Sequence, residues 1–310
     1  MKIVVTGAGG YIGSNLTGML SAMSSIGFKV TAFDNFFYNQ SDLVQDLYSK
    51  CDFNYESILK WSPKLCKAIE EADVIYHLAA LVGAPLCDKY PELCVELNEK
   101  WSEKLLKRLS NQIVVYPNTN SSYGSNPGVC TEETPINPLS LYAKTKQASE
   151  DTLMSYKNTT AFRLATVFGG SRRNRVDLLI NNLVGNSLKG EIEVFDGHFR
   201  RNYIHIADVV QAMIMPTYNE DMRQQIYNLG NDSINSTKLK LVQDICEITG
   251  GKYKVVDNKT DPDKRDYEVS SEKLYSLGFK PYFSLSDGVK EMISIYKGGL
   301  SLDDLRCRNY

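Results

Sequence analysis

Between Thr6 and Gly13 the chain reads TGAGGYIG, directly after the apolar run KIVVT (Lys2–Thr6) and before a helix-like stretch reaching about Ser25. This strand–turn–helix junction constrains the fold more than any other feature. Gly7 permits the tight turn, Gly10 lets a pyrophosphate approach the backbone, and Gly13 lets helix and strand pack closely. The start of the helix then presents the N–H groups of Tyr11 and Ile12 to phosphate. Alone, the triplet also fits a tight connection that binds nothing. The acid that a dinucleotide site needs is present, however. Asp34 ends the second strand-like run, FKVTAF (Phe28–Phe33). A carboxylate there accepts hydrogen bonds from the adenosine ribose and repels a 2′-phosphate. Residues 35–38, NFFY, hold no arginine to welcome that phosphate, so the expected cofactor is NAD and not NADP. Asp52 and Phe53 are expected just past a third strand, flanking the adenine.

The rest of the first half continues the alternation of strand and helix. Lys64–Glu71 reads as helix, DVIYHL (Asp73–Leu78) as strand, Glu92–Leu109 as amphipathic helix, and Ile113–Tyr116 as strand. Leu139–Tyr156 reads as the next helix, and TAFRLA (Thr160–Ala165) closes the series. The strands are continuous apolar runs, which calls for a parallel sheet covered on both faces. The expected class is therefore α/β, a Rossmann-type doubly wound parallel sheet with a smaller C-terminal substrate-binding lobe. Residues 1–165, with about 203–230, would form the dinucleotide domain, and about 166–202 with 231–310 the lobe. In the lobe, Arg172–Leu188, Thr237–Thr249 and Leu285–Tyr296 read as helices, the last with a capping box at SLSD (Ser284–Asp287). The tail SLDDLRCRNY has little periodicity and is expected to be mobile.

Composition excludes several classes of function. The net charge of −2 over 310 residues gives no basic surface for nucleic acid. No stretch is long and apolar enough to span a bilayer, and a strand starting at Lys2 leaves no room for a signal peptide. Seven scattered cysteines without CxxC spacing imply a reduced, cytoplasmic setting. The three histidines form no HExxH, so no metal is expected; His77, His198 and His205 read as structural.

Chemistry enters at LYAKTK, which sets Tyr142 and Lys146 four residues apart on one helix face. Tyrosine titrates near ~10, and lowering that by about three units needs roughly 4 kcal/mol in favour of phenolate. One cation at ~4 Å in a medium of effective dielectric ~20 supplies about that much. Lys146 is a candidate for that cation, which would make Tyr142 a base that takes a proton from an alcohol as hydride leaves carbon. A surface pair on an exposed helix has the same spacing; the glycine turn upstream gives this one its meaning.

With these motifs the chain resembles the extended short-chain dehydrogenase/reductase family, the nucleotide-sugar epimerases and dehydratases. TGAGGYIG, Asp34, HLAALVG (His77–Gly83), YPNTNSSYG (Tyr116–Gly124), YAKTK, FRLATVFG (Phe162–Gly169) and RRNYIHIADVV (Arg200–Val210) carry the resemblance over nearly the whole chain. It implies NAD contacts from Asn35 and from Leu78, Ala79 and Ala80. It implies Thr119 as the hydroxyl that bonds the sugar alcohol and shares its proton with Tyr142, with Asn120 and Ser121 beside the substrate. In the family's 4,6-dehydratases an Asp-Glu pair occupies those last two positions, and Ser121 stands where the 3,5-epimerases use cysteine. An amide and a hydroxyl do neither job, which leaves plain redox at C4. Arg201 and Arg265 fall where the family binds the diphosphate, with Asn181 either donating to the same group or packing. Arg172, Arg173 and Arg175 fit a solvated helix start as well as a ligand.

Four longer stretches, LAALVGAPLC (Leu78–Cys87), YPNTNSSYG, HFRRNYIH (His198–His205) and DPDKRDYEVS (Asp261–Ser270), resemble the branch of NAD-dependent GDP-heptose 4-dehydrogenases of bacterial capsule pathways. That branch oxidises C4 of GDP-D-glycero-D-manno-heptose to a 4-keto sugar. The general pattern fits UDP-hexose 4-epimerases too. A non-catalytic NAD-sensing protein is a third reading, and such proteins usually lack the tyrosine or the lysine. A homodimer paired through helices that include the YxxxK helix is implied by the resemblance.

Overall fold

The computed structural model describes residues 1–126, 128–256 and 266–309. Seven parallel strands form the central sheet: β1 (Lys2–Thr6), β2 (Lys29–Asp34), β3 (Asp52–Tyr55), β4 (Val74–His77), β5 (Ile113–Thr119), β6 (Thr159–Leu164) and β7 (Gln225–Leu229). Their order is β7-β6-β5-β4-β1-β2-β3, so the winding reverses between β1 and β4. Thr6 sits opposite both Phe33 and His77 in register. A crevice opens at such a reversal, beyond the carboxyl ends of the strands. β7 corrects the expectation that TAFRLA closes the series: QIYNL joins beyond it as the edge strand.

Side-chain alternation divides the core into two layers. Ile3, Val5, Tyr76, Val115 and Phe162 face a cluster containing Leu16 and Leu20 of helix α1 (Tyr11–Ala22). Val4, Ile75, Val114, Tyr116 and Ala161 face the other, with Trp101, Leu105 and Leu153. Leu153 belongs to helix α2 (Leu141–Met154), which Ser140 caps by accepting from Ala143 N. A third cluster joins helices α3 (Leu179–Lys189), α4 (Lys238–Thr249) and α5 (Leu285–Lys297) through Val184, Ile245 and Met292. The capping box at Ser284 and Asp287 is present.

Three local expectations are corrected. The helix read over Glu92–Leu109 ends at Leu106 and contains a π turn at Glu96–Lys100. Asn98 lies in that turn, and its amide grips both backbone groups of Leu81 at 2.8 and 2.9 Å; such bulges often mark functional positions. The helix read over Arg172–Leu188 begins only at Leu179. Residues 171–178 are a loop because Arg173 reaches backbone carbonyls near the end of the chain, a long-range contact that local pattern does not contain. The tail expected to be mobile is docked: Leu302 and Cys307 are 5 % and 2 % exposed and pack with Val176.

Candidate active site

A cleft of about 560 Å³ runs along the carboxyl edge of the sheet. At its β1–β2 end lie Gly7, Gly10, Tyr11, Ile12, Gly13, Asp34 and Asn35, with Leu78, Ala79 and Ala80 from the turn after β4. Gly7 has φ +71°, and a Cβ on it would meet Ala79 N at 2.7 Å. A Cβ on Gly13 would overlap the Gly7 carbonyl oxygen. Glycine is therefore required at both positions by this packing. Gly10 caps α1 without a side-chain hydrogen bond, and the first turn carries no acid. The helix N-terminus therefore meets the cleft with bare N–H groups, the arrangement that binds phosphate.

Asp34 is 9 % exposed; its Oδ2 accepts from Gly9 N at 2.9 Å and its Oδ1 from Phe36 N at 2.7 Å. Burial pushes its carboxyl up from the ordinary value, with these two N–H groups opposing the shift. A carboxylate oxygen takes more than one donor, so acceptor capacity is left for ribose hydroxyls. A dinucleotide fits this end: glycine-lined approach, helix N-terminus and buried acid occupy one wall.

Asp52 and Phe53 are placed differently from expectation. They begin β3 instead of following it, and neither lines the cleft. Asp52 is exposed and pairs with Lys64 at 3.0 Å, while Phe53 stacks on Phe36 with centroids 5.5 Å apart. The next residues, Glu56, Ser57, Ile58 and Leu59, line the cleft in their place.

Tyr142, Lys146, Thr119 and Ser121 line the other end of the same cleft. Thr119 is the last residue of β5 and caps the short helix Asn120–Tyr123. Its hydroxyl accepts from Ser121 N at 3.2 Å and donates to Ser121 Oγ at 3.0 Å. Lys146 is 4 % exposed, with Nζ 4.0 Å from the centre of the Tyr116 ring. Burial pulls Lys146 down to about 7, against the opposing charge of Glu150. A buried lysine with its pKa lowered in this way is suited to passing a proton as well as to holding a charge.

Helix α2 is held against the sheet by polar groups that the sequence reading did not single out. Glu150, eight residues after Tyr142, accepts from Asn118 Nδ2 at 2.7 Å and pairs with Arg163 of β6 at 2.7 Å. Their spacing on α2, i, i+4 and i+8, is visible in the sequence and was the available signal. His77 is 2 % exposed, and its Nδ1 lies 3.0 Å from Thr6 Oγ1. His205 pairs with Glu291 at 2.9 Å.

Asn120, Asn181 and Arg201 do not line the cleft. Asn120 is 1 % exposed beneath it. Asn181 is fully buried, and its amide bonds Gly169 N, Gly169 O and Arg175 O at 3.0 to 3.3 Å. Arg201 donates to Arg200 O at 2.8 Å and lies 5.4 Å from the ring centre of Tyr267, a cleft residue. Arg265 lies outside the described residues. Arg173 and Arg175 do line the cleft, 2 % and 7 % exposed, and are not at a solvated helix start. Arg175 forks onto Asp177 at 2.6 and 2.7 Å. Among the described residues lining the cleft, the carboxylates are Asp34 and Glu56. Asp34 ends β2, three strands from β5, or about 14 Å at the usual strand spacing; Glu56 follows β3, one strand further out. Among the described residues no cluster of His, Cys, Asp and Glu is arranged to hold a metal, and no helix is long and apolar enough to cross a membrane.

The comparisons agree with this geometry. Over 96 % of its length the chain is 28 % identical to the whole of an uncharacterized UDP-glucose epimerase, YtcB, of Bacillus subtilis. It is 27 % identical to UDP-glucuronic acid decarboxylase 1 of Arabidopsis thaliana, over 98 % of this chain and 72 % of that protein. The structure superposes on UDP-glucuronic acid 4-epimerase from Bacillus cereus, solved with UDP-glucuronic acid and NAD, with a TM-score of 0.84 at 26 % identity, covering 96 % of this chain and 99 % of that one. Residues 3–230 match the model of the NAD dependent epimerase/dehydratase family. The chain belongs to that family, and NAD is its cofactor.

Proposed function

We propose that this protein modifies a nucleotide-activated sugar by oxidising C4, and that it returns the hydride to the opposite face, acting as a nucleotide-sugar 4-epimerase. The observation that carries the reading is the chemistry of the cleft beside Tyr142. Among the described residues it offers two hydroxyls, a phenol and an amine but no carboxylate. Removing water from the sugar calls for a carboxylic acid and base there; redox at an alcohol carbon does not. Similarity to a UDP-glucuronic acid 4-epimerase and to a UDP-glucose epimerase supports epimerisation over net oxidation.

Bound NAD supplies the hydride acceptor. Tyr142 takes the proton of the C4 hydroxyl, and Lys146, one turn along α2, stabilises the phenolate. Thr119 orients the same hydroxyl. The product of this half-reaction is a 4-keto sugar nucleotide. Rotation of the keto sugar before the hydride and proton return inverts C4 and leaves no net redox change. Arg201, behind Tyr267, and Arg265 are the proposed diphosphate partners, and a homodimer through helices that include α2 is the proposed assembly.

A second reading is favoured by the four stretches named above, LAALVGAPLC, YPNTNSSYG, HFRRNYIH and DPDKRDYEVS. In it the 4-keto sugar leaves, the substrate is GDP-D-glycero-D-manno-heptose of a capsule pathway, and another oxo compound reoxidises the cofactor. Incubation with NAD and UDP-, GDP- and dTDP-sugars, read by mass and chromatography, separates the two. An isomer of unchanged mass supports the epimerase, and a loss of two hydrogens supports the dehydrogenase. Loss of water would overturn both, as would near-normal turnover by Tyr142→Phe.

A further inference from the structure

The segment Asp304–Asn309 reaches the cleft at Asn309 and is stitched to three separate parts of the chain. Arg306 pairs with Asp42, in the 3-10 stretch that follows β2, and with Asp304 at 2.8 Å. Arg173, in the loop before α3, donates from all three guanidinium nitrogens: Nε to Arg306 O at 2.9 Å, and the two terminal nitrogens to Asn309 Oδ1 and Arg308 O at 2.8 Å each. Val176 N donates to Cys307 O at 2.9 Å. Asn309 Nδ2 donates to Val82 O at 3.1 Å, just past β4. Asn309, Arg173 and Val82 line the same cleft as Gly7 and Asp34. Arg173 also lies over the Tyr38 ring at 4.2 Å, and Tyr38 is another cleft residue.

The loops after β2 and β4 flank the reversal of strand order, where a dinucleotide must enter and leave. One short segment joins both of them to the lobe loop. We propose that Asp304–Asn309 is a clasp that keeps NAD from dissociating between turnovers, with Arg173 as its anchor. The proposal rests on reading the cleft as a site of C4 oxidation whose hydride is handed on within the same protein. Such an enzyme has no need to exchange its cofactor, and a closed mouth keeps the reduced form from being lost with a keto sugar still bound.

The test measures cofactor release, independent of sugar chemistry. The full-length protein is loaded with NADH and mixed with excess NAD, and the decay of bound NADH fluorescence is followed. Wild type is expected to release NADH slowly. Asn309→Ala, which removes the ties to both Arg173 and Val82, is expected to release it at least tenfold faster. Arg306→Ala, at a half-exposed side chain, keeps a second variant available should the first fold poorly, and is expected to fall between. Fast release by wild type overturns the clasp, as do variants that lower the melting temperature but release NADH at the wild-type rate. If release accelerates as expected while no sugar is converted, the clasp stands and the epimerase reading fails.

Discussion

Glu150 and Arg163 form an ion pair at 2.7 Å in which the side chains are 1 % and 4 % exposed, with Glu150 one turn along α2 from Lys146. Asn118 of β5 and Tyr123 bond to the same pair, at 2.7 and 3.1 Å. The pair therefore joins β5, the strand that ends in Thr119, to β6 and to α2, the helix that carries Tyr142.

Removing one partner leaves the other charged and buried. Glu150→Gln is expected to cost about 3–5 kcal/mol of stability, the range for a broken buried pair. Surface pairs such as Lys2–Glu71, with side chains 57 % and 46 % exposed, are screened by solvent and should give far less. Denaturant titration of Glu150→Gln and Glu71→Gln checks the contrast, and equal losses would count against the role given to this pair.

Burial of Lys146 costs stability. Its folded pKa, about 7, lies below its unfolded value, ~10.4. The unfolded chain then binds the extra proton between those values, so this group's contribution rises with pH across that window and its cost is complete below about 7. Lys146→Met should therefore melt higher than wild type at pH 6, lose that advantage as pH approaches 10, and lack turnover. A pH-independent difference in melting temperature would contradict the burial argument.

Gly13→Ala forces a methyl group into the Gly7 carbonyl. Backbone must move at the junction of β1 and α1, at the end of the cleft proposed to hold NAD. Loss of NAD binding by calorimetry, with the melting temperature lowered, is the expected result; unchanged affinity would mean that the junction relaxes freely.

Asp34→Asn keeps a group that accepts hydrogen bonds while removing the charge that repels a 2′-phosphate. The ratio of NADPH to NADH dissociation constants should fall at least tenfold, about 1.4 kcal/mol. Arg173 lies close enough to lower the Asp34 carboxyl, but its nitrogens donate to the tail. No gain of NADPH binding would show that the ribose end discriminates by shape.

Local chemistry made much of this protein legible. Buried strands read as apolar runs, so β1, β4, β5 and β6 were visible, and Gly7 and Gly13 were legible because the turn between β1 and α1 has no room for a Cβ there. Tyr142 and Lys146 were readable because a helix converts a spacing of four into a shared face. What escaped depends on residues far apart in the chain. Arg173 looked like a solvated arginine until Arg306, Arg308 and Asn309 came to meet it, more than 130 residues later. The Asn98 grip on Leu81 and the π turn around it arise only once helix and strand end are packed together.

The amino-acid order by itself determined the apolar strand segments, the glycine turn after β1 and the shared helix face of Tyr142 and Lys146, since each follows from contacts within a turn or two of the chain. Only the tertiary structure decided which arginines face the cleft, that Lys146 is drawn to about 7, and that the tail docks beside the cleft. Burial and long-range hydrogen bonds set those, and both belong to the packed molecule, where distant segments share the removal of water.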